Sequence, residues 1–133
     1  MKQAIWSGVV ALLMAGVLRA ELPPSVYEAK QKEAPEKIWI EVLRVDIESG
    51  EQADQQKVGV VALVTRVDRT SSGLQPDQVI NISYVITERP RGFVGPGEIP
   101  LLQEGEKTVA FLAREDSEPV YLPVAGTMSF REF

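Results

Sequence analysis

Cysteine and histidine are both missing from this 133-residue chain. Without cysteine there is no disulfide framework, no thiolate metal site and no lipid attachment through an N-terminal sulfur, so the fold rests on its hydrophobic core. Without histidine the chain lacks the usual general base near neutral pH and the commonest transition-metal ligand. Basic residues are also few: 14 Lys and Arg stand against 19 Asp and Glu, and they are interspersed rather than clustered. A nucleic-acid interface needs a cationic stripe that displaces counterions, so that class of partner is excluded. What is present, 44% hydrophobic and 25% charged residues, is the composition of one ordinary globular domain.

The one long uncharged apolar run is N-terminal. Lys2 supplies a positive start, Ile5 to Leu18 carries no charge, and Leu18-Arg19-Ala20 leads into the polar Glu21. These are the three regions of a secretory signal cut after Ala20. The run is about 14 residues where a bilayer takes roughly 20, so no stable membrane insertion is expected once it is removed. Export to the periplasm or the extracellular space follows. Removing Lys2 and Arg19 takes the formal net charge from −5 to −7.

The expected organisation is a signal peptide over 1–20, a lead-in over 21–37 and a β-barrel domain over 38–133. The lead-in has Pro23, Pro24 and Pro35 around a charged run. It reads as a tether or a short helix over Ser25 to Ala34 with Ser25 as its cap. Ile38 to Ile47 alternates apolar and polar residues as a half-buried strand does, with a bulge where the phase slips at Leu43 and Arg44. Glu48 to Gln56 forms an acidic turn around Gly50. Val58 to Val67 is Val-rich and predicts a central strand buried on both faces over part of its length. Asp68 to Asp77 reads as a loop and Val79 to Ile86 as another alternating strand. The prolines and glycines between Thr87 and Pro100 predict the longest irregular loop. Lys107 to Ala113 then makes a strand, and Val120 to Leu122 with Met128 to Phe133 a closing hairpin around Gly126. Five or six short strands imply an all-β sandwich or small barrel.

Within these strands the order of residues resembles a known module. It runs through Ala62, Val64, Val67, Arg69, Gly73, Leu74, Pro76, Ile80, Ile82 and Tyr84. It continues in Pro100-Leu101-Leu102, Glu104-Gly105-Glu106 and Ala110-Phe111-Leu112, and ends in Tyr121, Pro123, Gly126, Ser129 and Phe130. The pattern is similar to the netrin-like module of the tissue inhibitors of metalloproteinases and to bacterial secreted relatives of unassigned function, over Ile38 to Phe133. The resemblance implies a five-stranded, OB-like Greek-key barrel, with Val109 and Phe111 pointing into its interior, and a role in binding proteins or glycans at the barrel rim. Protease inhibition in that family depends on an N-terminal cysteine that chelates the target's zinc. This chain has none, so the activity is not carried over.

Candidate sites are weighed against plainer readings. Ser71 and Ser72 have no histidine to activate them and read as turn residues. Glu98, Glu104, Glu115, Asp116 and Glu118 offer carboxylates for glycoside chemistry but read as solvated turn acids. Asp46, Glu48, Glu51 and Asp54 around Gly50 do not match a calcium-loop spacing, so no metal or cofactor is expected. Asn81-Ile82-Ser83 is a formal glycosylation acceptor that lies mid-strand. Tyr121, Phe130 and Phe133 read as barrel core and closing strand. The strongest candidate is the loop Arg89 to Gly97, where Arg89, Arg91 and Phe93 set two cations and an aromatic on a Pro/Gly frame suited to a protein or glycan partner. The reading is a non-catalytic binding module. An accessory subunit that docks an envelope complex through the lead-in, and a carboxylate-dependent hydrolase, are the alternatives.

Overall fold

A computed structural model describes residues 23–87 and 98–132. The proposed signal segment 1–20 lies outside them.

The chain enters through a helix, α1, Pro24–Glu33. Pro23 stands at the N-cap and Pro24 at the first helical position, where its missing N–H costs nothing and its fixed φ suits the helix. Ser25 is therefore inside the helix and not its cap. Lys30 and Lys32 in the last turn complement the negative end of the helix dipole. Ala34, which precedes Pro35, leaves the helix with ψ 128°, as a residue before proline tends to.

Five strands follow: β1 (Glu36–Ser49), β2 (Gln55–Arg69), β3 (Val79–Thr87), β4 (Lys107–Arg114) and β5 (Tyr121–Pro123). They close a barrel in the order β1-β2-β3-β5-β4, antiparallel throughout except for the parallel β3–β5 pair. This is the small OB-like Greek-key barrel expected from the sequence. The interior is built from alternating residues: Ile38, Ile40 and Val42 on β1, Val58, Val60, Ala62 and Val64 on β2, Ile80, Ile82 and Tyr84 on β3. Leu74, Leu102 and Phe130 join the same core from outside the strands, each side chain of this size stabilising by about 1.5–3 kcal/mol when buried. The phase slip on β1 is a register shift between Val42 and Arg44. Val45 thereby returns to the core side. Gly105, at φ +84°, turns the chain into β4 and donates its N–H to the Val42 carbonyl at 2.8 Å, beside this bulge.

Three expectations are corrected. On β4 the interior positions are Ala110 and Leu112, whereas Val109 and Phe111 point outward into a second cluster with Ala34 and Ala125. Both faces of this strand are apolar, so period alone cannot choose between them. Phe133 lies outside the described residues, and Met128 to Glu132 does not form a closing strand. A 3₁₀ turn, Gly126–Met128, takes its place, because Ser129 Oγ accepts the Ala125 N–H at 3.0 Å and donates to the Gly126 carbonyl at 2.8 Å, meeting locally what a ladder would otherwise supply. β2 is central, paired to β1 and β3, but Gly59, Val61 and Leu63 on its outer face are only half-buried.

α1 lies against the barrel wall. Tyr27 and Gln31, one turn apart, are its buried residues. Gln31 Nε2 donates to the carbonyls of Met128 (2.9 Å) and Arg131 (2.6 Å). From the barrel, Arg69 donates to the Ala34 carbonyl at 2.9 Å and the Gln31 carbonyl at 2.7 Å, capping the orphan carbonyls of the helix end.

Candidate binding groove

The residues favoured by the sequence, Arg89, Arg91 and Phe93, lie outside the described residues. Three polar groupings on the described surface can be compared instead, by asking which side chains are already engaged.

The first surrounds Glu36, a carboxylate only 1% exposed. It accepts hydrogen bonds from the Thr70 hydroxyl, the Ser71 N–H (3.1 Å) and the Ser72 hydroxyl (2.9 Å), and Ser72 Oγ lies 2.7 Å from the Tyr121 hydroxyl. Ser71 and Ser72 thus do more than turn the chain. They bind the loop after β2 to the first residue of β1. Every oxygen here has a partner, which is a structural tie.

The second lies on the outer face of β1 and β2. Asp68 accepts from Arg66 at 2.8 and 3.1 Å and from the Trp39 indole N–H at 3.1 Å, while the Arg66 guanidinium stacks 4.8 Å from the Trp39 ring centre. The Arg66 hydrogen bonds, helped by the Trp39 donor and the charges of Arg66 and Lys37, hold the Asp68 carboxyl below its ordinary 3.8. The same pairing raises the Arg66 guanidinium. This cluster is also closed upon itself.

The third is open. Antiparallel register sets two rows across the outer face of the sheet, Arg44–Val61–Asn81 and Asp46–Gly59–Ser83. The β4–β5 turn, closed by a Glu115 N–H to Val120 carbonyl bond of 2.8 Å, brings Glu115, Glu118 and Val120 alongside them. Between lies a cleft of about 520 Å³, within the range of ligand sites. A second cleft of about 320 Å³, walled by Ser72, Gln78, Arg114, Pro119 and Tyr121, shares Asn81 with the first. Gly59 forms the floor, since a Cβ there would meet nothing nearer than the Asp46 carbonyl at 4.0 Å. Arg44 donates to Asp46 at 3.0 Å. Among the described residues the side chains of Lys57, Asn81, Ser83, Arg114 and Glu118 have no hydrogen-bond partner.

In the sequence reading Glu115 and Glu118 are turn acids weighed against glycoside chemistry, and Asn81 is a strand residue within a formal glycosylation acceptor; nothing there brings them together. The signal that points to the groove is Gly59 itself, an isolated glycine in a β-branched strand, which marks a site of close approach. Among the described residues no three acidic side chains converge as a metal site would require, and no helix is long and apolar enough to cross a membrane. No protein-family model, curated protein or solved structure matches this chain.

Proposed function

We propose that this chain is an exported, non-catalytic binding module, of the netrin-like kind its sequence resembles, that holds its partner on the outer face of β1–β3. The observation that carries the reading is the glycine-floored groove bordered by unpartnered polar side chains, beside two other polar clusters that are fully engaged. Polar groups poised over a preformed cleft are what a ligand needs for orientation and specificity. A chain without histidine or cysteine has little with which to make the same cleft catalytic. The contact with α1 that engages Tyr27 and Gln31 favours the groove over the lead-in as the binding surface.

Two experiments test the reading. N-terminal sequencing of the protein recovered from its envelope or culture fraction should begin at Glu21; a start at Met1 would remove export by cleavage. Crosslinking capture from the same fraction should recover a reproducible partner with the natural chain and lose it in Gly59→Ile. The added Cβ meets nothing nearer than the Asp46 carbonyl at 4.0 Å, and the side chain projects from the floor into the cleft. Capture indifferent to that substitution would place binding elsewhere.

A further inference from the structure

We infer that the groove takes a neutral oligosaccharide, a deepening that rests on its being the binding surface. The argument is one of chemistry. Around the two joined clefts, Arg44, Lys57 and Arg114 balance Asp46, Glu115 and Glu118. A polyanion or polycation would find no excess of opposite charge to offset its desolvation. Polar and apolar surface share the first cleft about equally, Val61 and Val120 among the apolar part, and polar surface predominates in the second, so the joined groove offers no continuous apolar face. The groove therefore does not suit a lipid or an apolar helix.

A peptide strand is recognised through backbone hydrogen bonds at a sheet edge. Here the floor is sheet interior: at Gly59 and Val61 the strand is paired on one side to Asp46 and Arg44 and on the other to Ser83 and Asn81. Its N–H and C=O groups serve those ladders, so recognition falls to side chains. An amide, a hydroxyl, an ammonium and a carboxylate, from Asn81, Ser83, Lys57 and Glu118, are donors and acceptors of the kinds that pair with sugar hydroxyls. The missing Cβ at Gly59 lets a ring lie close to the sheet. The shared Asn81 joins the two clefts into a path for a chain of several sugar units.

The test is an NMR titration of the full-length protein with maltotetraose, cellotetraose, chitotetraose and mannotetraose, and with tetragalacturonate as the charged counterpart. At least one neutral tetrasaccharide should move the amides of Gly59, Asn81, Ser83 and Glu118, saturating at concentrations on the order of millimolar, as expected of side-chain hydrogen bonds alone. Asn81→Ala should weaken that binding roughly tenfold. Gly59→Ile should abolish it with no loss of thermal stability, and the charged tetrasaccharide should leave the groove amides unmoved. Silence from all four neutral sugars at about 10 mM, or stronger binding of the uronate, would overturn the inference. The capture experiment separates the two levels: sugar silence with capture still lost in Gly59→Ile refutes the sugar and keeps the groove, whereas sugar silence with capture unchanged refutes both.

Discussion

At Glu36 a carboxylate with 1% exposure accepts two hydroxyls and a backbone N–H. Glu36→Gln keeps the shape but replaces one acceptor oxygen with an NH₂ that faces donors. At least one buried donor loses its partner, and the expected loss of stability is about 1–3 kcal/mol. Urea unfolding at neutral pH measures it, and an unchanged midpoint would deny the tie between β1 and the loop after β2. Asp68 poses a question of pH. Its folded pKa is depressed, so its contribution is present above the unfolded value near 3.8 and is lost as pH falls through the folded value. The stability gap between the natural chain and Asp68→Asn should therefore be widest at neutral pH and shrink steadily below pH 4 or so. A gap that grows on acidification would contradict the Arg66 and Trp39 pairing.

A helix of ten residues is too short to persist by propensity, so α1 depends on its docking. Beside the Arg69 bonds to its last carbonyls, two contacts from its own side chains secure that docking. Gln31 holds two carbonyls of the C-terminal segment. Tyr27 packs on Gly126, where φ is +54° and a Cβ would stand 3.2 Å from Tyr27 Cε1. Gly126→Ala should cost about 1–2 kcal/mol for the left-handed backbone alone, and Gln31→Ala a similar amount. Because both release the same helix, the double variant should lose less than the sum. Trypsin should cut after Lys30 or Lys32 in either variant while the barrel survives; a lead-in as resistant as in the natural chain would mean that other contacts hold it. β1 and β3 were legible because one face of each is buried and the period of two shows it. β2 was legible as a central strand by its valines but not in its facing, since its outer face also carries Val61 and Leu63. β4 and the C-terminal segment were not, since β4 is apolar on both faces and the fate of Gly126–Phe130 turns on one hydroxyl, that of Ser129, whose partners no periodicity encodes.

For the whole molecule, the number and spacing of strands narrowed the fold to a sandwich or a small barrel and the resemblance chose the barrel, but the groove was not legible. Its rows exist only once register is set, since Arg44, Gly59 and Asn81 come from three strands and Glu118 from a turn distant in sequence. The same closure leaves one weak seam. β1 and β2 are paired from Lys37–Arg69 to Ser49–Gln56, whereas β3 meets β5 at the single pair Ile82–Tyr121. The Tyr121 hydroxyl, 2.7 Å from Ser72 Oγ, adds one further tie beside it. Local opening concentrates where few hydrogen bonds must break. Native-state hydrogen exchange should show amides at the β3–β5 seam opening at a free energy well below that of β1–β2. Tyr121→Phe should lower the seam value by a further 0.5–1.5 kcal/mol or about that, leaving β1–β2 amides little changed. The seam also divides the two walls of the groove, β3 on one side and the β4–β5 turn on the other. A ligand that touches both walls stabilises the closed form by its differential affinity and should slow exchange at the seam selectively. If seam and β1–β2 amides exchange only together, in one global event, the barrel opens as a single unit and the seam cannot modulate the width of the groove.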